Sequence, residues 1–396
     1  MASKRAIEPE SFPFFNYKNF SFCLGLDTDD GVWLSGHSAS QYDPDRGRIV
    51  VNGDIVAQSR VAYDKIGRLL RAVGLDFSNV VRTIDYVTMK GIEDYPRTAD
   101  VRREVFGANP PATSVMVVDA LLRPEALIEI EVVASRTPNA AANPTWAGAD
   151  PLHRSAGRRV GNVLYISAVQ PVLPGTNQIV APGDVVAQTR RIYETVTDVL
   201  RAAGMGWGNI VKTVEFLTPD ALPQYRYTGR VRKEFMEPAY PGATGIIMSR
   251  LQHPEAMITV DFIAAEGERE VLNPGWKRYE KLTYVPAVKV GNVVFMAGQG
   301  ALDPETEQCV HDGDVVAQSR YIYQNMARVL EVAGAGPDAM VKTIEYVTPA
   351  GLADYRRTAD VRKEIFAQPV PASTGVVCER LLRPEMMLEV DAIAIL

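Results

Sequence analysis

Cysteine is nearly missing from this chain. Cys23, Cys309 and Cys378 are the three in 396 residues, far apart and odd in number. With no Cys-x-x-Cys pair they suggest neither a disulfide framework nor a zinc knuckle, and a reducing compartment is expected. Histidine is scarce too, at four residues; His153, His253 and His311 show no ligand spacing, so neither a metal nor another cofactor is expected. No run approaches the roughly 18 uninterrupted apolar residues of a membrane span. The opening MASKRAIEPESFPFF carries acids and prolines where a signal peptide has its apolar segment. A cytoplasmic protein without membrane contact is the expectation. Clustered basic residues are lacking as well, and the net charge is −6. Neutralising phosphates takes a concentrated Lys/Arg face, so nucleic acid is not an expected partner.

What the chain has is repetition. Gly53–Arg60 (GDIVAQSR) returns 130 residues on as Gly183–Arg190 (GDVVAQTR), and again as Gly313–Arg320 (GDVVAQSR). Each copy reads as a helix start. Asp54, Asp184 and Asp314 are placed to accept a backbone N–H, the apolar residues that follow keep helical spacing, and Gly74, Gly204 and Gly334 sit where a left-handed residue closes a helix. Strand-like runs follow at Val80–Thr88, Ile210–Thr218 and Met340–Thr348, then a second helix, then two more strands. In copies two and three an opening hairpin is marked by Gly161-Asn162 and Gly291-Asn292, whereas the opening of copy one is divergent. Residues before about Phe12 read as a loose arm. A chain of this length holds roughly two to four domains of about 100–200 residues, and 46% hydrophobic with 23% charged residues allows each an ordinary core. Three α+β domains are expected, over residues 12–135, 150–265 and 277–396, with helices on one face of each sheet. The strands are apolar at both parities, so the other faces must also be covered; three like units suggest that they meet around a pseudo-threefold axis. Tyr63, Tyr193 and Tyr323, at one repeated helix position, are expected to pack between units. Trp146 and Trp276 of the two connectors are expected to pin them to the body.

The series G-D-x-x-A-Q, then [VI]-V-K-T-x-x-[FY]-[VL]-T, then P-A-x-[ST] and a terminal E-[IV]-[ED]-x-[IV]-A resembles the RidA/YjgF family of enamine/imine deaminases over nearly all of each copy. The resemblance implies a chorismate-mutase-like α+β unit, a monomeric pseudotrimer as the functional unit, and sites in the clefts between neighbouring units. That family uses an Arg to hold a substrate carboxylate, a Glu on the last strand to activate water, and a Tyr and a Ser from the first hairpin. Here the Arg position holds Thr113, Ala243 and Ser373; the Glu position Glu129, Thr259 and Glu389; the Tyr is matched by Tyr284, with Arg154 in copy two; the Ser by Ser35 and Ser167, with Ala297 in copy three.

Glu129, Glu389, Tyr284, Ser35 and His37 are therefore the catalytic candidates. His37 stands where the family has Gln, beside Ser38 and near Cys23, and a Ser or Cys paired with it would be a nucleophile and base. Glu129 and Glu389 each lie in a strand with a second carboxylate, one of which is expected to point away from the core; only burial in a cleft would raise a pKa enough for general-base work. Ser114, Thr244 and Thr374 keep a hydroxyl in every copy, and Lys212 and Lys342, with Arg82, keep a cation that could converge on the axis. Arg123 and Arg383 precede Pro-Glu in a loop where a cation could replace the missing Arg. These are the candidate substrate-binding residues. By analogy of fold with the cyanuric acid hydrolase and barbiturase family, Lys212 or Lys342 with Thr244 or Thr374 would be a Ser–Lys-like pair. Two functions fit: a hydrolase or deaminase acting on a C–N bond (imine, enamine or cyclic amide) of a small metabolite, or a non-catalytic pseudotrimer that binds a small molecule or protein.

Overall fold

The computed structural model describes residues 3–18 and 20–396. Each copy builds one mixed sheet in the same strand order. In the first, the hairpin Gly25–Thr28 and Gly31–Leu34 is followed across the sheet by Ile128–Ala134, Val80–Thr88 and Ala112–Val118. The second runs Gly157–Val160, Val163–Val169, Ile258–Ala265, Ile210–Leu217 and Gly242–Ile247; the third, Ala287–Val290, Val293–Met296, Leu388–Ile395, Met340–Val347 and Ala372–Val377. The final strand of each copy thus sits in the middle of its sheet, antiparallel to both neighbours.

The long helices Ile55–Ala72, Val185–Ala202 and Val315–Glu331 begin at the repeated Asp, whose side chain accepts the backbone N–H of Ala57, Ala187 or Ala317. Removing such a cap costs about 1 kcal/mol. Gly74, Gly204 and Gly334 then turn the chain at φ of 73°, 72° and 71°, a conformation that strains any side chain. Tyr63, Tyr193 and Tyr323 lie inside their own copies rather than between units. Tyr63 meets Phe77 and Phe106, Tyr193 meets Trp207 and Phe235, and Tyr323 meets Phe366. Their helix face is turned to its own sheet; it is the opposite face of the sheet that meets the other copies.

On that opposite face Tyr86, Phe216 and Tyr346, 130 residues apart, share one apolar cluster with Ile84, Val214 and Ile344. Phe216 and Tyr346 pack edge to face at 6.1 Å. Fully burying one Phe contributes roughly 1.5–3 kcal/mol, and this surface would be exposed if a copy stood alone. Charges close a ring around the same axis: Arg82 pairs with Asp261 at 2.6 Å, Lys212 with Asp391 at 2.7 Å, and Lys342 with Glu131 at 3.0 Å, each cation reaching the next copy. Ser249 lies between Asp119 and Glu379, 2.7 Å from the latter, so the three equivalent positions meet.

From residue 3 on, the described residues before Phe12 are not a loose arm. Lys4–Ala6 pairs with Gly25–Thr28 as an edge strand, and the connectors do the same, Asn139–Ala141 on the second sheet and Arg269–Val271 on the third. A sheet edge offers unpaired N–H and C=O groups, and the extended segment leading into each copy satisfies them. Trp276 is buried, whereas Trp146 is 39% exposed and tied by its Nε1–H to Asp198 at 2.9 Å.

Candidate functional site

Between copies three and one lies a cavity of about 840 Å³. Copy one supplies Gly36, His37, Lys65, Arg123 and Glu129; copy three supplies Tyr355, Arg356, Arg362 and Ser373. Glu129 and Glu131 are two residues apart on one strand, so both face the junction, and neither is on a solvated face. Glu131 goes to the axis and pairs with Lys342, leaving Glu129 at the cavity. Among the described residues no donor hydrogen-bonds the Glu129 carboxylate. Burial raises its pKa to about 7, against the pull of Lys342 and Lys65. Glu389, at the junction of copies two and three, is raised to about 8 by burial and then by Asp391.

The backbone beside each carboxylate follows the side chain opposite. A Cβ on Gly36 would stand 2.9 Å from the Glu129 Cδ and overlap Oε1. A Cβ on Gly298 would overlap Oε1 of Glu389. At the remaining junction the glutamate is Thr259 and the glycine is Ala168. Glycine is present wherever a glutamate needs the space.

Lys65, which reads in the sequence as an ordinary helix lysine, is a member of the site. It is 1% exposed, donates to the carbonyls of Ser38 and Ser40 at 2.7 and 2.6 Å, and lies 5.1 and 4.9 Å from the ring centres of Phe14 and Phe15. Burial lowers its pKa to about 7. Its equivalents are Thr195 and Asn325, so the lack of a repeat at this position was the available signal. Arg362, joined to Glu345 at 2.7 Å, also reaches Ser21 of copy one at 3.2 Å.

Other candidates serve the joints between copies. Ser35 Oγ donates to the Cys23 carbonyl at 2.6 Å and accepts from the Ser373 N–H at 2.8 Å; Ser167 does the same one junction on. Ser114 bonds Asp261, Thr244 bonds Asp391 at 2.5 Å, and Thr374 bonds Glu131 at 2.8 Å, each across a junction. Lys342 donates to Thr374 at 2.8 Å, so a Lys–Thr pair exists, but on the axis and held by Glu131. Lys212 is likewise occupied by Asp391. His37 donates from Nε2 to the Leu24 carbonyl at 3.1 Å, not to Ser38 or Cys23, and burial brings its pKa to about 3. Cys23 is pushed up to about 12 by burial, which keeps it a thiol. Tyr284 packs edge to face on Tyr279 at 5.5 Å in the junction of copies two and three, and Phe22 holds the equivalent place in the 840 Å³ cavity. Arg123 lines that cavity, whereas Arg383 is exposed on its loop. Among the described residues no three His, Cys, Asp or Glu side chains gather as metal ligands.

The family model described as Endoribonuclease L-PSP matches the chain three times, at residues 18–136, 151–266 and 279–396. A RutC family protein of Pyrococcus abyssi is 37% identical over 111 residues, 28% of this chain and 84% of its own length. The human 2-iminobutanoate/2-iminopropanoate deaminase is 33% identical over 110 residues, 28% of this chain and 76% of its own. A solved chorismatase structure superposes with a TM-score of 0.54 at 18% identity, covering 80% of this chain and 93% of its own; that likeness is one of fold.

Proposed function

The chain belongs to the RidA/YjgF family as three fused copies of its unit, and from that premise we propose that it is a hydrolase or deaminase acting on a C–N bond at the junction of copies three and one. The observation that carries this reading is Glu129, a carboxylate raised to about 7 at the wall of a large cavity. The substrate is an imine, enamine or cyclic amide. Glu129 takes a proton from water as the water oxygen attacks the C=N or C=O carbon and passes it to the nitrogen; for an imine, the remaining hydrogen of the new hydroxyl then moves to the nitrogen as the C–N bond breaks. For an imine the products are a carbonyl compound and ammonia. General-base help of this kind contributes roughly 10²–10⁴-fold. Arg123 holds the substrate's anionic group in place of the family's Arg, at whose position Ser373 stands. Ser35, Thr374 and Lys342 hold the two walls in register rather than touching substrate. The relatives' activity, an imine deaminase in the human protein, supports the same reaction class.

The second reading, a binding module without catalysis, is favoured by the loss of the family Arg in all three copies. Ammonia release from a panel of imines, enamines and ring amides separates the two. The enzyme reading requires turnover that Glu129→Gln removes; turnover indifferent to both Glu129→Gln and Glu389→Gln would refute the mechanism, and binding without turnover would favour the module.

A further inference from the structure

The cavity is far larger than a three- or four-carbon imino acid needs; at about 840 Å³ it lies near the top of the roughly 300–1,000 Å³ range that encloses drug-sized ligands. Its walls are also of two kinds. Phe15, Phe20, Phe22 and Leu24 form an apolar side, with the Phe20 and Phe22 rings stacked at 5.0 Å. Leu122 of copy one and Leu352 of copy three stand at the rim 38% and 40% exposed.

The charges are unbalanced. Five cations line the cavity against Glu129. Three of them are accounted for: Lys65 by two carbonyls, Arg362 by Glu345 at 2.7 Å, and Lys363 by Asp360 at 3.9 Å. Arg123 and Arg356 have no acidic partner within 4 Å among the described residues, and they come from different copies. Burial and then the neighbouring Arg356 push the Arg123 pKa down, with Glu125 opposing weakly, so two guanidinium groups repel across an apolar opening. An anion relieves that repulsion, and guanidinium groups suit carboxylate oxygens. Of the other two junctions, one has His253 and Pro96 at these positions, and the other keeps two arginines, Arg383, exposed on its loop, and Arg226, which donates to the Tyr227 hydroxyl at 2.6 Å.

We infer that the ligand of this cavity is a carboxylate carrying an aromatic ring, the ring against Phe20 and Phe22 and the carboxylate between Arg123 and Arg356. The inference rests on the proposed site but not on its chemistry. Calorimetric titration of the full chain with phenylacetate, acetate and 2-phenylethanol tests it. Phenylacetate should bind about tenfold or more tightly than either fragment-like probe, since acetate lacks the ring and 2-phenylethanol lacks the carboxylate. Arg123→Met and Arg356→Met should each weaken phenylacetate about tenfold and leave 2-phenylethanol and the melting temperature unchanged, while Arg383→Met changes nothing. Equal binding of acetate and phenylacetate would overturn the aromatic assignment; phenylacetate binding indifferent to both arginines would overturn the clamp; no binding at millimolar phenylacetate would overturn both. Because none of these readouts needs turnover, Glu129→Gln should still bind phenylacetate. Ammonia release that depends on Glu129 without phenylacetate binding would sink the ligand class and leave the reaction, and the reverse result would do the opposite.

Discussion

The junction of copies three and one and the junction of copies one and two are built on the same frame and have parted in chemistry. Both keep the serine clip, Ser35 to Ser373 and Ser167 to Thr113, and both keep a buried ion pair to the axis. The first has Glu129, Gly36, Lys65 and Arg123 at an open cavity. At the corresponding places the second has Thr259, Ala168, Thr195 and His253, and among the described residues Thr259 Oγ1 is buried without a hydrogen-bond partner. There Leu152 is buried in the apolar core of copy one and its carbonyl accepts from Arg102 at 2.7 Å, where Phe20 lines open space at the first junction. Fusion explains how this can happen. In a homotrimer one substitution alters three clefts at once; in one chain it alters one, so residues that hold the ring are retained three times and residues that do chemistry need be retained once.

Four measurements break or sharpen that contrast. The largest effect should come from Glu129→Gln, which lowers turnover by roughly 10²–10⁴-fold, while Thr259→Val leaves ammonia release unchanged. Next, Asp391→Asn strands the buried Lys212 and should cost about 3–5 kcal/mol in chemical denaturation; Glu104→Gln, which breaks an exposed pair with Arg60, should leave the denaturation midpoint close to the parent's. A loss for Asp391→Asn no larger than that for Glu104→Gln would remove the ring as the shared frame. Third, Gly36→Ala should displace Glu129 and cost roughly a hundredfold in kcat/KM, as a misplacement of about 1 Å does, whereas Ala168→Gly is neutral. The fourth effect is on stability against pH. Burial raises Glu389 to about 8, so its ionisation opposes folding: its favourable contribution is complete below the ordinary Glu value and is lost as pH rises through about 8. Glu389→Gln should therefore gain in melting temperature over the parent from pH 5 to pH 9, and parallel curves would contradict the burial argument.

The repeat made the fold readable, because the caps Asp54, Asp184 and Asp314 and the stops Gly74, Gly204 and Gly334 are local signals that act within a few residues. Lys4–Ala6 and Asn139–Ala141 were not readable as strands: three polar residues have no periodicity, and only the sheet edge beside them makes them extended. Glu129 could be found by position in its strand, but its burial depends on Lys342 taking Glu131 to the axis, a contact across more than 200 residues. Lys65 and Arg356 were missed for the same reason. Each lies on a helical segment where a cation is ordinarily solvated, and only the approach of copy three to copy one gives them a cavity to face.

The pH dependence of kcat/KM tests the central assignment most directly. With Glu129 as the base at the junction of copies three and one, activity rises with pH along a limb centred near pH 7, and Glu129→Gln removes that limb together with most of the rate. A limb left in place in the Glu129→Gln protein, at undiminished rate, would assign the chemistry to another group and another cleft.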